Sequence, residues 1–152
     1  MGDEVEIEYG KATESELDEI FSMAGVNRAE ATGIQADDNK DKMIASYKDS
    51  LDHGAYFLVA RTHESLVAWV LVDRSQDWFT HKEIGWISDV YVKQEFRQNG
   101  VAKSLIEQSL VEFKHLGYDD VRLNVFSFNE KAIRLYEKLG FKDVSKFMRV
   151  EI

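Results

Sequence analysis

The sequence predicts one domain of the α/β (α+β) class, built around a mixed sheet. Three observations predict it. Segments with the period-2 pattern of strands and segments with the 3.6-residue pattern of helices follow one another in the order β-α-α-β-β-β-α-β-α-β. The chain of 152 residues is 44% hydrophobic, enough to bury one core without covalent staples. No repeat, low-complexity tract or flexible linker interrupts residues 1–152, which contain no proline.

Taken in order, Val5, Ile7 and Tyr9 alternate with Glu6 and Glu8, the pattern of a half-buried strand. Thr13 and Glu16 form a capping-box pattern ahead of Leu17, Ile20, Phe21 and Ala24 at helical spacing. Gly25 is expected to stop that helix, and the polar and small residues 26–36 to form a loop. Asp37, Asp38 and Asn39 offer caps to a second helix that carries Met43, Ile44, Tyr47 and Leu51 on one face. Residues 55–61 and 66–72 are strongly apolar and flank a four-residue THES turn, which predicts a hairpin. Residues 84–92 read as a third long strand. Val101, Leu105, Leu110 and Phe113 form a helical stripe over 101–116, closed by Gly117. A strand over 121–126, a helix over 130–139 ended by Gly140, and a last strand over 141–151 complete the chain.

Composition excludes several function classes. Without cysteine the chain has no disulfide framework, zinc–thiolate site, cysteine nucleophile or iron–sulfur ligand set. No apolar run approaches the roughly 18 residues of a spanning helix. The acidic start MGDEVEIEYG is unlike a signal peptide, and Glu6 stands where a myristoylation site needs Ser or Thr. A cytoplasmic protein with no membrane partner is therefore expected. His63-Glu64 is followed by Val67 rather than a second histidine, so no HExxH forms and no metal is expected. The net charge of −9 lies wholly in residues 1–60, with 14 Asp or Glu against 5 Lys or Arg; residues 61–152 carry 14 of each. Phosphate backbones need a basic face, so nucleic acid is not an expected partner.

The segment Arg97-Gln98-Asn99-Gly100-Val101-Ala102 joins a strand ending near Val92 to the helix beginning at about Gly100. A small-residue loop entering a helix leaves backbone N–H groups without intrahelical partners, and the helix dipole adds to their attraction for anions. Gly100 lets a ligand oxygen approach the backbone, and Ala102 keeps the first turn narrow. The loop is neither a Walker loop nor a dinucleotide fingerprint, since GxxxxGK[ST] and GxGxxG are both absent. An ordinary strand-to-helix turn is the alternative.

These residues resemble the GNAT superfamily of N-acetyltransferases, whose signature is [Arg/Gln]-x-x-Gly-x-[Gly/Ala] after a strand and before a long amphipathic helix. Here that block is DVYVKQEFRQNGVAKSLIEQSL, residues 89–110. A second block, NEKAIRLYEKLGF, supplies Asn129, Ala132, Leu135-Tyr136 and Gly140-Phe141 about thirty residues later. The resemblance covers residues 84–142 in sequence and is only architectural over 1–83. It implies a mixed, mostly antiparallel sheet of six to seven strands with about four helices. It also implies acetyl-CoA as co-substrate. Residues Gln98, Asn99, Gly100, Val101, Ala102 and Lys103 would wrap its pyrophosphate through backbone amides, with Arg97 opening the motif. Val90, Tyr91 and Val92 would lie along the pantetheine arm, in a gap between this strand and the one at 121–126. Asn129 matches a position that helps to hold the cofactor.

The resemblance gives Tyr136 the role of general acid toward the departing CoA thiolate, a task that a phenol of ordinary pKa, about 10, can perform. The alternative is a tyrosine that only packs. An amine acceptor must lose a proton before it attacks, so a base or water relay is needed. Asp89 is the first candidate, with Glu83 and Glu95 as alternatives on the same stretch; a strand carboxylate paired to a neighbouring cation is the competing reading. The ribosomal-protein alanine acetyltransferase branch carries a glutamate base where this chain has Asn124, so N-terminal alanine acetylation is not assigned. Trp69, Trp86, Phe126 and Phe128 read as core, whereas Trp78-Phe79 sits in a polar link and suggests a substrate contact or dimer edge.

The resulting expectation is an acyltransferase that passes an acetyl group directly to a primary amine of a small molecule or peptide, with a cationic acceptor favoured by the acidic first half. A ping-pong route through a thiol is excluded for want of cysteine. A catalytically silent acyl-CoA-binding or sensor domain is the rival, and a homodimer is compatible with the family.

Overall fold

The computed structural model describes residues 6–34 and 39–152. Its five strands, β1 (Glu8–Lys11), β2 (Tyr56–Arg61), β3 (Leu66–Gln76), β4 (Glu83–Val92) and β5 (Val121–Leu123), lie in one sheet in sequence order. The first three pairings are antiparallel and β4–β5 is parallel. Helices α1 (Glu14–Ser22), α2 (Ala24–Thr32) and α3 (Asn39–Asp52) lie between β1 and β2. A 3-10 turn, Gln94–Phe96, and α4 (Val101–His115) join β4 to β5, and α5 (Glu130–Lys138) follows. The mixed α/β class is as the sequence predicts.

The sheet is buried on both faces, which is why β3 reads as an unbroken apolar run from Leu66 to Val72. Phe57, Val59, Trp69 and Leu71 point toward α1–α3, where Ile20, Ala24 and Tyr47 meet them. Leu58, Ala60, Val70 and Val72 point the other way, onto Leu105, Ile106 and Phe113 of α4. Gly85 lets α4 settle on β4, because a Cβ there would lie 2.7 Å from the Phe113 ring. The predicted capping box opens α1: the Glu16 amide donates to Thr13 Oγ1 at 3.3 Å, and the Thr13 amide to Glu16 Oε1 at 2.9 Å.

Three elements differ from expectation. Residues expected to form a loop over 26–36 include a helix, α2, which starts immediately after α1 at Met23 and ends at Gly33 in the left-handed region. Gly25 is therefore inside a helix rather than a stop. Its missing side chain lets α3 approach, since a Cβ there would lie 3.3 Å from Lys40 Cβ. Tertiary packing overrides the local signal. The strand expected over 121–126 pairs only through Leu123. The strand expected over 141–151 does not form, so among the described residues the sheet has five strands rather than six or seven, while the α-helices number five. Val5, Asp37 and Asp38 lie outside the described residues.

Candidate active site

The site begins with a divergence between parallel strands. β4 and β5 pair only over Gly85–Ile87 and Val121–Leu123, yet β4 continues to Val92. Beyond Ile87 the β5 side of β4 has no ladder partner, which leaves a slot whose wall offers main-chain donors and acceptors. Val90 and Val92 are half-buried against the α4 side. Tyr91 is buried on the opposite face, its ring 4.9 Å from that of Trp69.

The slot leads to the loop before α4. Gln98 (φ 67°) and Gly100 (φ 75°) both adopt left-handed backbone, and Gly100 caps α4 without any side-chain hydrogen bond. Among the described residues, the N–H groups of 98–103 donate to no backbone carbonyl; the first such bond runs from the Ser104 amide to Gly100. No heavy atom lies within 4 Å of the position a Gly100 Cβ would take. N–H groups without a backbone acceptor, an open approach at Gly100 and the N-terminus of a 15-residue helix fit a pyrophosphate. Val101 turns its side chain into the core, and Ala102 is half-buried, so both offer only backbone to a ligand. Lys103 stays exposed, 3.9 Å from Glu107. Asn99 braces the loop by donating to the carbonyls of Phe96 and Arg97.

Arg97 is committed elsewhere. Its Nε donates to the Val92 carbonyl at 2.8 Å, its two terminal nitrogens reach the Glu30 carboxylate at 3.3 and 2.8 Å, and the guanidinium lies 5.3 Å from the Tyr91 ring centre. It therefore clamps the loop to the end of β4 and to α2. Asn129 caps nothing with its side chain and instead donates to the Ala31 carbonyl at 3.4 Å, joining the start of α5 to α2.

Asp89 stands at a β-bulge. Leu71 pairs with Asp89 and Val72 with Ile87, so Ser88 is the extra residue that re-aims the strand. The Asp89 carboxylate accepts from Tyr47 (2.6 Å), from Trp69 Nε1 (3.0 Å), and from Asn27 Nδ2 at both oxygens (3.1 and 2.9 Å). The same Asn27 amide donates to Tyr47 Oη at 3.0 Å. No cation is among these partners, so the ion-pair reading of Asp89 is replaced by a hub of neutral donors. Burial holds the Asp89 pKa above the ordinary carboxylate value, and the donors from Tyr47, Trp69, Asn27 and the Val90 amide oppose that rise. Burial first, then the Asp89 charge, also raises the Tyr47 phenol, which keeps its proton.

Tyr136, on α5, is half-buried beside Phe141, ring centres 5.7 Å apart. Burial and then the Asp89 charge raise its pKa, so the phenol is a proton source and not a base. Glu83 lies at the far end of β4, exposed and 3.8 Å from Arg74, and Glu95 is exposed on the 3-10 turn. Trp78 and Phe79 form an exposed edge-on pair at the β3–β4 turn, which is the opposite end of β4 from the α4 loop. Among the described residues no cluster of three or more His, Cys, Asp or Glu could hold a metal, and no helix is long and apolar enough to cross a membrane.

Residues 17–141 match the acetyltransferase (GNAT) family. The chain belongs to this family. An N-alpha-acetyltransferase of Saccharolobus solfataricus is 30% identical over 100 residues, 61% of this chain and 60% of that one. A thialysine N-epsilon-acetyltransferase of Sus scrofa is 33% identical over 61 residues, 40% of this chain and 36% of that one. The match thus spans less than two thirds of either relative. A solved Clostridium acetobutylicum structure described as a predicted acetyltransferase with acetyl-CoA superposes with a TM-score of 0.76 at 16% identity, covering 96% of each chain. At that identity the likeness is one of fold.

The sequence pattern assigns none of the three side chains that meet at Asp89 in this GNAT chain to that site. Asn27 fell in the expected loop; only a helix over 24–32 puts it three residues from Ala24, on the same buried face. Tyr47 is expected only on one face of its helix and Trp69 in the core, and each aims its one polar atom at Asp89.

Proposed function

We propose that this chain transfers the acetyl group of acetyl-CoA to a primary amine by direct attack in a ternary complex, and that the favoured acceptor is cationic. The observation that carries the reading is the divergence of β4 from β5 beside the N-terminus of α4. That arrangement offers main-chain pairing to an extended arm and free N–H groups to a pyrophosphate at its end. The relatives act, by name, on alpha-amino groups and on a lysine analogue, which supports an amine acceptor.

Asp89 takes the proton from the incoming ammonium, so that a neutral amine can attack. Its raised pKa suits that task, and the Tyr47, Trp69 and Asn27 donors fix its orientation. Backbone N–H groups of β4 near Tyr91 and Val92 stabilise the oxyanion of the tetrahedral intermediate. Tyr136 then protonates the leaving thiolate, its phenol held in the neutral form by burial and by Asp89. Arg97, through Glu30 and Val92, holds the loop in its binding shape.

The cationic preference rests on the surplus of −9 in residues 1–60. Part of it is spent internally: Glu16 pairs with Arg61, Glu19 with Lys93 and Glu30 with Arg97. What remains raises the local concentration of cations and speeds their association. The test measures thiol release from acetyl-CoA with polyamines, lysine peptides, neutral amines and acidic amino acids at low and high salt. The expected result is turnover of the cations, with kcat/KM falling as exposed charges are screened over about 8–10 Å. A flat salt response or preference for neutral amines overturns the charge argument, and tight CoA binding without turnover of any amine makes the chain a sensor.

A further inference from the structure

Asn99-Gly100 is the only Asn-Gly pair in the chain; the other four asparagines precede Arg28, Lys40, Val125 and Glu130. In such a pair the glycine nitrogen can reach the asparagine side-chain carbon, because no side chain on the second residue obstructs the approach. The folded loop leaves that route open. Asn99 and Gly100 are both exposed, and beyond its chain neighbours no heavy atom lies within 4 Å of the position a Gly100 Cβ would take. Among the described residues the Gly100 amide donates to no backbone carbonyl, whereas an amide inside a helix or ladder is held by one. Asn99 Nδ2 is retained by the Phe96 and Arg97 carbonyls at 3.4 and 3.3 Å, beyond the roughly 2.7–3.2 Å of firm bonds.

Electrostatics favours the same reaction. Gly100 caps α4, so its amide sits at the positive end of a 15-residue helix. An attacking amide must first shed its proton, and the helix dipole stabilises the anion that results. The Gly100 nitrogen, its proton passed to water, then attacks Asn99 Cγ. The N–Cγ bond forms, the Cγ–Nδ2 bond breaks, and Nδ2 leaves as ammonia with a proton from solvent. Water opens the resulting succinimide. Attack at Cγ gives aspartate; attack at the main-chain carbonyl gives isoaspartate, in which the chain runs on through the side-chain carbon. Amide and water become carboxylate and ammonium, with no oxidant or reductant.

We propose that Asn99 is a site of spontaneous deamidation, that its product closes the loop before α4 to CoA, and that bound CoA suppresses the reaction. Closure and protection rest on 98–103 holding the pyrophosphate; the modification itself does not. Either product adds a negative charge beside the N–H groups that a pyrophosphate would take, and like charges brought together oppose binding. Isoaspartate also lengthens the main chain next to Gly100, where the left-handed φ of 75° sets the shape of the loop. A bound pyrophosphate acts in reverse: it occupies the N–H groups, and its charge opposes the loss of the Gly100 proton. The empty enzyme therefore ages at its cofactor site and the loaded enzyme does not.

The test needs no acetyl transfer. The full chain is incubated in mildly alkaline buffer with and without CoA, and each asparagine is followed by peptide mass spectrometry. Asn99 is expected to convert first, ahead of Asn124, which is equally exposed but precedes a β-branched residue. Conversion should be faster than at neutral pH, and slowed about a hundredfold by CoA at about 100 times its Kd, where about one molecule in a hundred is empty. The aged fraction, separated by its extra negative charge, is expected to bind CoA about tenfold or more weakly than fresh protein in calorimetry. Asn99→Asp should match the aged fraction. Asn99→Gln, which would need a larger ring, should keep its own fresh affinity on ageing. Circular dichroism establishes that the variants fold; if they do not, the aged native protein decides. An Asn99 that converts no faster than Asn124, a rate indifferent to CoA, or an aged fraction that binds as fresh protein does overturns the proposal. Fresh protein that does not bind CoA refutes instead the cradle on which closure and protection rest.

Discussion

Tyr47 donates a 2.6 Å hydrogen bond to Asp89 across 42 positions of sequence, and so ties α3 to the bulge of β4. The bond links the helical segment between β1 and β2 to the strand that lines the slot. Removing it by Tyr47→Phe leaves a buried carboxylate one donor short. A hydrogen bond to a charged group contributes about 1.5–3 kcal/mol, and a loss of that order is expected in chemical denaturation. The missing donor also disfavours the Asp89 anion, so its pKa rises further. If Asp89 is the base, the acid limb of kcat/KM moves to higher pH; a merely structural Asp89 leaves the limb where it was.

Gly100→Glu is expected to abolish CoA binding. Its carboxylate would stand among the N–H groups of 98–103 and repel phosphate. The left-handed φ of 75° adds a cost of about 1–2 kcal/mol for any side chain. Gly100→Ala carries the same backbone strain without the charge, and calorimetry should find it weakened but still binding. Equal CoA affinity in a folded Gly100→Glu protein removes the pyrophosphate from this loop.

Tyr136→Phe is expected to keep CoA affinity and lower kcat by about 10²–10⁴-fold, the usual worth of general acid catalysis. Only the phenolic proton is lost, because the ring still packs on Phe141. Wild-type kcat with the best acceptor would leave Tyr136 a packing residue.

Asp77 predicts an acid-dependent term in stability. Its Oδ1 accepts the Phe79 and Thr80 amides and its Oδ2 faces Arg122 at 2.7 Å, and these contacts, the two amides foremost, lower its pKa from 3.8 to about 2. A carboxyl whose folded pKa is depressed stabilises the fold above its ordinary value, and that contribution is lost as pH falls from 3.8 through 2. Asp77→Asn should therefore be less stable than wild type at neutral pH, with the gap closing below pH 4. A gap that is constant down to pH 2 contradicts the assignment.

The site was legible where chemistry is carried by the backbone. A loop with Gly100 ahead of an apolar stripe has one local solution, a helix whose first N–H groups face outward, and the fold places that helix as expected. The capping box at Thr13 and Glu16 was equally local. Arg97 was legible as a motif position but not in its role, because its partner Glu30 lies 67 positions away on a helix that the local pattern hid.

What the sequence by itself determined is the class of the fold, its central hairpin and third strand, and the loop before α4. Each follows from periodicity, capping or glycine within a window of a few residues. Tertiary structure alone decided that 24–32 is helical, that Asn27, Tyr47 and Trp69 converge on Asp89, and that β5 stops pairing at Leu123. The segment 141–151 marks the boundary between the two. Its alternation specifies a strand, but a strand exists only when another edge accepts its hydrogen bonds, and among the described residues none does.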